Sequence, residues 1–411
     1  MKFEMERFRL GINYWPVSSA MYWWRRFDAT EVAADFARIH AAGFDSVRVF
    51  LLWEDFQPAP DQVSDEALRK LVIVADLAAR HELSLISTLF TGHMSGVNWL
   101  PSWALEAAEE TARFRVVSGD KVVLAKLKNW YSDSGAIQAQ ALLAREVAAA
   151  LSHHPSLWAY DLGNENSNCV TPPTRDAAVA WLETMAGAIR SVDSSHPITI
   201  GLHMEDLEED RRLGPQEAAR VCDFLCMHGY PIYADWTRSA TDETLLPFLG
   251  LMTRWLGGKK VLFEEFGAPT RPRDKWQAAL SQTPLLEEKE AAQYTQRSLA
   301  ALQRFGMTGA MLWCFGDYDA KLWAEPPLDE AVHERFFGLW RSDHSAKPSL
   351  SAIESMDQAA VCEWHDDFAW IDVTKEEFYL DPRVTLRHLY QVFLRDIARR
   401  ANGGRTSSDD Q

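Results

Sequence analysis

Short apolar runs alternate along the chain with longer stretches in which apolar residues recur every three or four positions. Runs of the first kind read as buried strands and stretches of the second as amphipathic helices packed on them. Strands are predicted at Leu10–Tyr14, Ser46–Phe50, Ser84–Phe90, Leu157–Asn164, Ile198–Leu202, Phe224–His228, Val261–Glu265 and Ala310–Phe315. Helices are predicted at Thr30–Ala42, Asp65–His81, Ser134–Ser152, Arg175–Val192, Thr241–Leu256 and Lys289–Phe305, with Asp28 or Thr30 capping the first and Gly43 stopping it. Eight strands alternating with helices is the count that closes a (β/α)8 TIM barrel. Long connections after the third strand (Thr91 to Tyr131) and after the eighth (Gly316 to Lys347) are long βα loops on the rim where such barrels build sites.

Past Ala359 the pattern changes to aromatic residues around Trp364, Trp370 and Tyr379, then a helix from Val384 to Arg400. We read residues 1–358 as a catalytic barrel, 359–402 as a short C-terminal extension packed on it, and 403–411 as a disordered tail.

Two glutamates end apolar runs 100 residues apart: Glu165 after Leu157-Trp-Ala-Tyr-Asp-Leu-Gly-Asn164, and Glu265 after Val261-Leu-Phe-Glu264. At roughly 31 residues per βα unit, that separation is close to three units. The fourth and seventh strands then deliver carboxylates to one rim, an arrangement suited to glycosidic-bond cleavage. Glu264 competes with Glu265. Strand alternation lets only one face the axis, and Glu265 is chosen, with Val261 and Phe263 on its face and Glu264 toward the helices.

Composition narrows the field. With 411 residues, 47% of them apolar, the chain can bury a large core, and a net charge of −17 argues against nucleic acid or an anionic membrane surface as partner. Five cysteines lack metal-ligand spacing, and several lie in apolar stretches and read as core residues in a reducing compartment. The N-terminus has no apolar leader pattern and no run reaches 18 apolar residues, so a cytoplasmic location is expected. Seventeen tryptophans lean toward a carbohydrate ligand. Neither a cofactor nor a metal is expected.

The remaining strand ends supply Arg48 on the second strand, His93 after the third and Asn164 beside Glu165. They continue with His228-Gly-Tyr230 on the sixth and Trp313 on the eighth. In this order the chain resembles clan A glycoside hydrolases, most similar to family 5, over roughly Leu10 to Ser349. The stretch Phe337-Gly-Leu-Trp-Arg-Ser-Asp343 with Lys347-Pro348 resembles the closing segment of exo- and endo-mannosidases of that clan. The resemblance implies Glu165 as acid/base with a raised pKa and Glu265 as ionised nucleophile aimed by Arg48 and Tyr230. It further implies Asn164 on the sugar 2-OH, His93 and His228 on hydroxyls or neighbouring groups, and Trp313 as the floor of the subsite. One departure is Asn166, where the family commonly has proline.

Trp15 and Trp53 are added as substrate-binding residues. Of the loop tryptophans Trp15, Trp23, Trp24, Trp99, Trp103, Trp236 and Trp323, about half are expected to face the cleft. Trp158 and Trp181 read as core, Met21–Trp24 as a sugar platform or an interface, and Glu54 and Asp55 as within reach of substrate. The expectation is a retaining β-glycosidase, foremost an exo-acting β-mannosidase on short β-linked oligosaccharides. Alternatives are an endo-β-1,4-mannanase, a β-glucanase or β-glucosidase of the same clan, or an inactive carbohydrate-binding barrel. A metal-dependent hydrolase is disfavoured: Asn13-Tyr14-Trp15 replaces the usual His-x-His of the first strand, and His203 and His228 alone cannot complete a metal site.

Overall fold

A computed structural model of the chain describes residues 7–108, 112–273, 275–354, 356 and 367–403. Eight parallel strands form one sheet: β1 (Arg9–Asn13), β2 (Ser46–Leu52), β3 (Ser84–Thr91), β4 (Leu157–Asn164), β5 (Ile198–Gly201), β6 (Leu225–His228), β7 (Val261–Phe266) and β8 (Gly309–Leu312). Their order is β5-β4-β3-β2-β1-β8-β7-β6. The sheet closes where the Asp223 amide donates to the Ile198 carbonyl and the His228 amide to the Leu202 carbonyl, both at 2.8 Å. The result is the expected (β/α)8 barrel.

The principal helices are α1 (Ala29–Ala41), α2 (Asp65–Arg80), α3 (Ser134–Leu151), α4 (Arg175–Arg190), α5 (Pro215–Ala219), α6 (Leu245–Gly257), α7 (Glu288–Arg304), α8 (Ser349–Glu354) and α9 (Pro382–Gly403). The first four start where a side-chain oxygen caps free amides: Asp28 accepts from Thr30 at 2.8 Å, Ser64 from Ala67, Asp133 from Ala136 and Thr174 from Ala177. α6 starts at Leu245 rather than at Thr241. The Asp242 carboxylate binds the amides of Arg238 and Thr244 and the Tyr390 hydroxyl, holding that segment as a turn.

A central plug of Ile86, Trp158, Ala159, Phe224, Cys226, Leu262 and Met311 is separate from the large core between sheet and helices. The second half of the extension joins that outer core: Phe378, Leu386 and Leu389 are fully buried, and Tyr390 and Phe393 pack on Phe248 of α6. Trp364, Cys362 and residues 404–411 lie outside the described residues, whereas Gly403 ends α9. Cys169, Cys222, Cys226 and Cys314 carry free thiols. Among the described residues no helix is long and apolar enough to cross a membrane.

Candidate active site

The end of β7 overturns the alternation rule. Met227 pairs with Phe263, but the next residue, His228, pairs with Glu265, and a second register shift falls between Phe263 and Phe266 against β8. This bulge inserts a residue on one side of the ladder, so Glu264 and Glu265 both turn inward. Leu262 lies in the plug, while Val261 and Phe263 join the helix-facing core, opposite to their predicted face.

Arg48 is fully buried at the centre and explains how the barrel tolerates these charges. Its guanidinium donates to Asp161 at 2.7 Å, Thr88 at 2.9 Å, Asn164 at 3.0 Å and Glu265 at 3.2 Å, and lies 3.4 Å from Glu264. Buried charges persist when paired and hydrogen-bonded. Burial, the neighbouring Glu264 charge and the opposing pull of Arg48 leave Asp161 pushed up to about 6. Glu264 settles below the usual range, because Arg48 and His228 outweigh its burial.

β4 also breaks register between Asp161 and Asn164. Gly163 makes the break with φ +140°, where a side chain would strike the Asn166 carboxamide. Glu165 follows in the left-handed region, φ 49°, and heads a tight turn at Asn166–Asn168. That turn lets the Asn168 amide donate back to Glu165 at 3.0 Å. Asn166, in the place of the family proline, donates to the Leu162 carbonyl.

The two strand ends converge. One oxygen each of Glu165 and Glu265 and a ring nitrogen of His228 lie within 4.8 Å of one another. His228 Nδ1 is 3.0 Å from Glu165 and 3.8 Å from Glu265. The Tyr230 hydroxyl donates to Glu265 at 2.8 Å. His93 bonds Asn98 at 2.8 Å, and its other nitrogen is 4.0 Å from Glu165; its carbonyl accepts from Asn164 at 3.1 Å. The Glu165–His228–Glu265 triad has the ligand types of a cation site, but the Arg48 guanidinium beside Glu265 opposes a further positive charge there.

Proton affinities in the site run opposite to the expectation of a raised Glu165. Burial raises Glu165, but His203, His228 and His93 around it win, and it sits well below the usual carboxylate range. Burial and the Glu165 charge push Glu265 up to about 7, despite His228 and Arg48. His228, held between carboxylates, rises to about 10 against its desolvation.

Above them opens a cleft of about 800 Å³, lined by Glu165, Glu265, Asn164, His93, His228, Tyr230 and Trp313 among others. Of the sequence-predicted residues, Arg48 supports the floor from beneath. Trp15 and Trp53 are corrections: both are fully buried, Trp15 stacked on Phe50 at 5.0 Å and Trp53 packed edge-on to Trp103 and Trp130. None of the seven loop tryptophans lines the cleft. Met21–Trp24 is buried packing, and Glu54 and Asp55 bind Arg25 instead of facing the cleft.

The physical reason is a wall. The loops after β3 and β8 meet over the ends of β1 and β2: Arg115 pairs with Asp329 at 2.7 Å and Glu330 at 3.0 Å, and Ser95 donates to Glu334 at 3.0 Å. Tryptophans that follow β1 and β2 therefore lie beneath packed chain. Three site residues escaped sequence reading. His203, weighed only as a metal ligand, lies 3.9 Å from Glu165. Asn168 had only its spacing from Glu165 to mark it, and Glu334 had no signal at all.

No family model matches the chain. A protein of Oryza sativa subsp. japonica, provisionally named mannan endo-1,4-β-mannosidase 5, is 27% identical over 349 residues, 74% of this chain and 65% of that protein. Mannan endo-1,4-β-mannosidase A of Hypocrea jecorina is 22% identical over 318 residues, 70% of this chain and 63% of that one. The matched region thus spans less than two thirds of the length of these curated relatives. Among solved structures, GH5_18 from Streptomyces cattleya in complex with GlcNAc superposes with a TM-score of 0.77 at 22% identity, covering 96% of this chain and 92% of that one. An exo-β-1,4-mannosidase from Opitutaceae bacterium strain TAV5 gives a TM-score of 0.69 at 26% identity, covering 86% and 61%. The chain is thus similar to mannan-active glycoside hydrolases and shares the barrel fold of GH5_18 structures.

Proposed function

We infer that this protein is a retaining, exo-acting β-mannosidase that removes single sugars from short β-linked oligosaccharides. The observation that carries the reading is the approach of the Glu165 and Glu265 carboxylates, within 4.8 Å, at the floor of a cleft walled on one side. Retaining cleavage needs carboxyl groups about 5–5.5 Å apart, and an inverting enzyme needs a wider gap to hold water.

In the first step Glu165 gives its proton to the glycosidic oxygen while Glu265 attacks the anomeric carbon, releasing the leaving alcohol. Water then adds to the glycosyl ester, Glu165 takes its proton, and Glu265 departs as carboxylate. Arg48 and Tyr230 donate to Glu265 and favour its charged form when substrate is bound, which leaves the shared proton to Glu165. Asn164 on the cleft lining serves the sugar 2-OH, and Trp313 carries the ring.

The exo reading follows from sidedness. Glu165 marks the leaving-group side at β4, and the loops after β3 and β8, tied by Arg115 to Asp329 and Glu330, wall the cleft and favour release of one sugar at a time. Complexes of similar proteins suit it: a GH5_18 of Streptomyces cattleya was solved with Manβ1-4GlcNAc. A disaccharide of that kind is the substrate we propose, and the free thiols suit work in the cytoplasm. Aryl β-mannoside, β-glucoside and β-galactoside assayed beside mannan chain-length analysis test this. Single-mannose release supports it, and rapid internal cutting without attack on aryl glycosides overturns it.

A further inference from the structure

We propose that Glu334 is the residue that selects the terminal sugar, its carboxylate accepting hydrogen bonds from two adjacent hydroxyls of the ring seated over Trp313. This rests on the exo-glycosidase reading above and names what recognises the sugar.

Glu334 belongs to a short helical turn, Val332–Phe336, in the loop after β8. Val332 and Phe336 bury themselves in a small apolar cluster with Leu285, which anchors the turn and leaves His333 and Glu334 on the cleft lining. The Glu334 side chain is only 9% exposed. One carboxylate oxygen accepts from Ser95 at 3.0 Å and from the Trp313 indole at 3.4 Å. The other meets only the Tyr233 hydroxyl and a His333 nitrogen, both at 3.5 Å.

A carboxylate has about four acceptor positions, and the second oxygen here has only long contacts. Burying such a group is costly unless hydrogen bonds compensate. No arginine or lysine pairs with Glu334 among the described contacts, whereas Arg115 already ties this loop to its neighbour through Asp329 and Glu330. Loop closure therefore does not rest on Glu334 alone. Its position beside the Trp313 indole edge puts an under-satisfied acceptor at the rim of the ring that Trp313 supports. Sugar hydroxyls donate, a carboxylate accepts two at once, and a vicinal diol of a neutral hexose matches that spacing.

The test compares the wild type with Glu334→Gln and Ser95→Ala on 4-nitrophenyl β-mannoside and its monodeoxy derivatives, with thermal denaturation confirming that each variant folds. Glu334→Gln is expected to lower kcat/KM about 10- to 100-fold on the parent glycoside, as loss of hydrogen bonds to a charged acceptor does. On the derivative lacking a contacted hydroxyl, wild type and variant should converge. Ser95→Ala should retain the wild-type dependence on that hydroxyl. A Glu334→Gln effect under threefold, or one equal on every deoxy derivative, overturns the assignment. If only aryl β-glucoside or β-galactoside is cleaved, the mannose reading falls and the same series on that sugar judges Glu334 independently. If no aryl glycoside turns over, calorimetric titration of mannose and its deoxy analogues makes the same comparison.

Discussion

The Arg48 guanidinium lies 3.4 Å from the Glu264 carboxylate, and both side chains are fully buried in the barrel. Glu264 thereby helps to hold the arginine that in turn donates to Glu265. Removing one partner of a buried pair costs about 3–5 kcal/mol because the other charge is left uncompensated. Glu264→Ala should lower stability by that order in chemical denaturation and reduce kcat, although Glu264 lies outside the cleft lining. A variant with wild-type stability and turnover would show that Arg48 is held without it.

Alkaline inactivation should begin near neutrality. The first step uses the one proton that Glu165 and Glu265 share; burial with the Glu165 charge pushes Glu265 up to about 7, so that proton is lost and kcat/KM should fall as pH rises through about 7. His228 lowers Glu265, so His228→Asn should move that limb to higher pH. The linkage has the corresponding sign: a carboxyl raised from 4.5 to about 7 binds more protons folded than unfolded, so its contribution to stability shrinks as pH rises across that window. Glu265→Gln should remove this slope. Denaturation of both proteins across the window measures it; parallel curves would contradict the assignment.

The wall over β1 and β2 decides chain-length preference. Arg115→Ala severs the pairs with Asp329 and Glu330 and should raise mannan cleavage relative to aryl β-mannoside. Partly exposed pairs contribute about 0–1 kcal/mol, so the melting temperature should hardly move. An unchanged product profile by chain-length analysis would place the barrier elsewhere.

Buried tryptophans offer a contrast. Trp53→Ala should cost about 3–5 kcal/mol of stability by leaving a cavity, with KM of the folded protein unchanged. A large KM rise at preserved stability would return Trp53 to the substrate.

The barrel was legible because buried parallel strands must be short, apolar and separated by amphipathic helices. The predicted strands Ser46–Phe50 and Leu157–Asn164 lie within the observed ones. Glu165 and Glu265 were legible for a related reason, since a carboxylate closing an apolar run must sit at a rim. What failed was local. Nothing in Val261–Phe266 marks a bulge, so period-two reasoning sent Glu264 outward and reversed the faces of Val261 and Phe263. Trp15 and Trp53 were misplaced because burial depended on two distant loops joining through Arg115 and Asp329. The affinity order of Glu165 and Glu265 needed the histidines at 93, 203 and 228 in one place, which linear spacing does not reveal.

The most direct measurement is to trap the covalent intermediate with a 2-deoxy-2-fluoro-β-mannosyl fluoride and sequence the labelled peptide. The label should reside on Glu265, with Glu165→Gln still accepting it slowly and Glu265→Gln not at all. Label on Glu264 or Glu165, or an unlabelled enzyme whose first product has the inverted anomeric configuration, would contradict the pairing of β4 and β7 as acid/base and nucleophile.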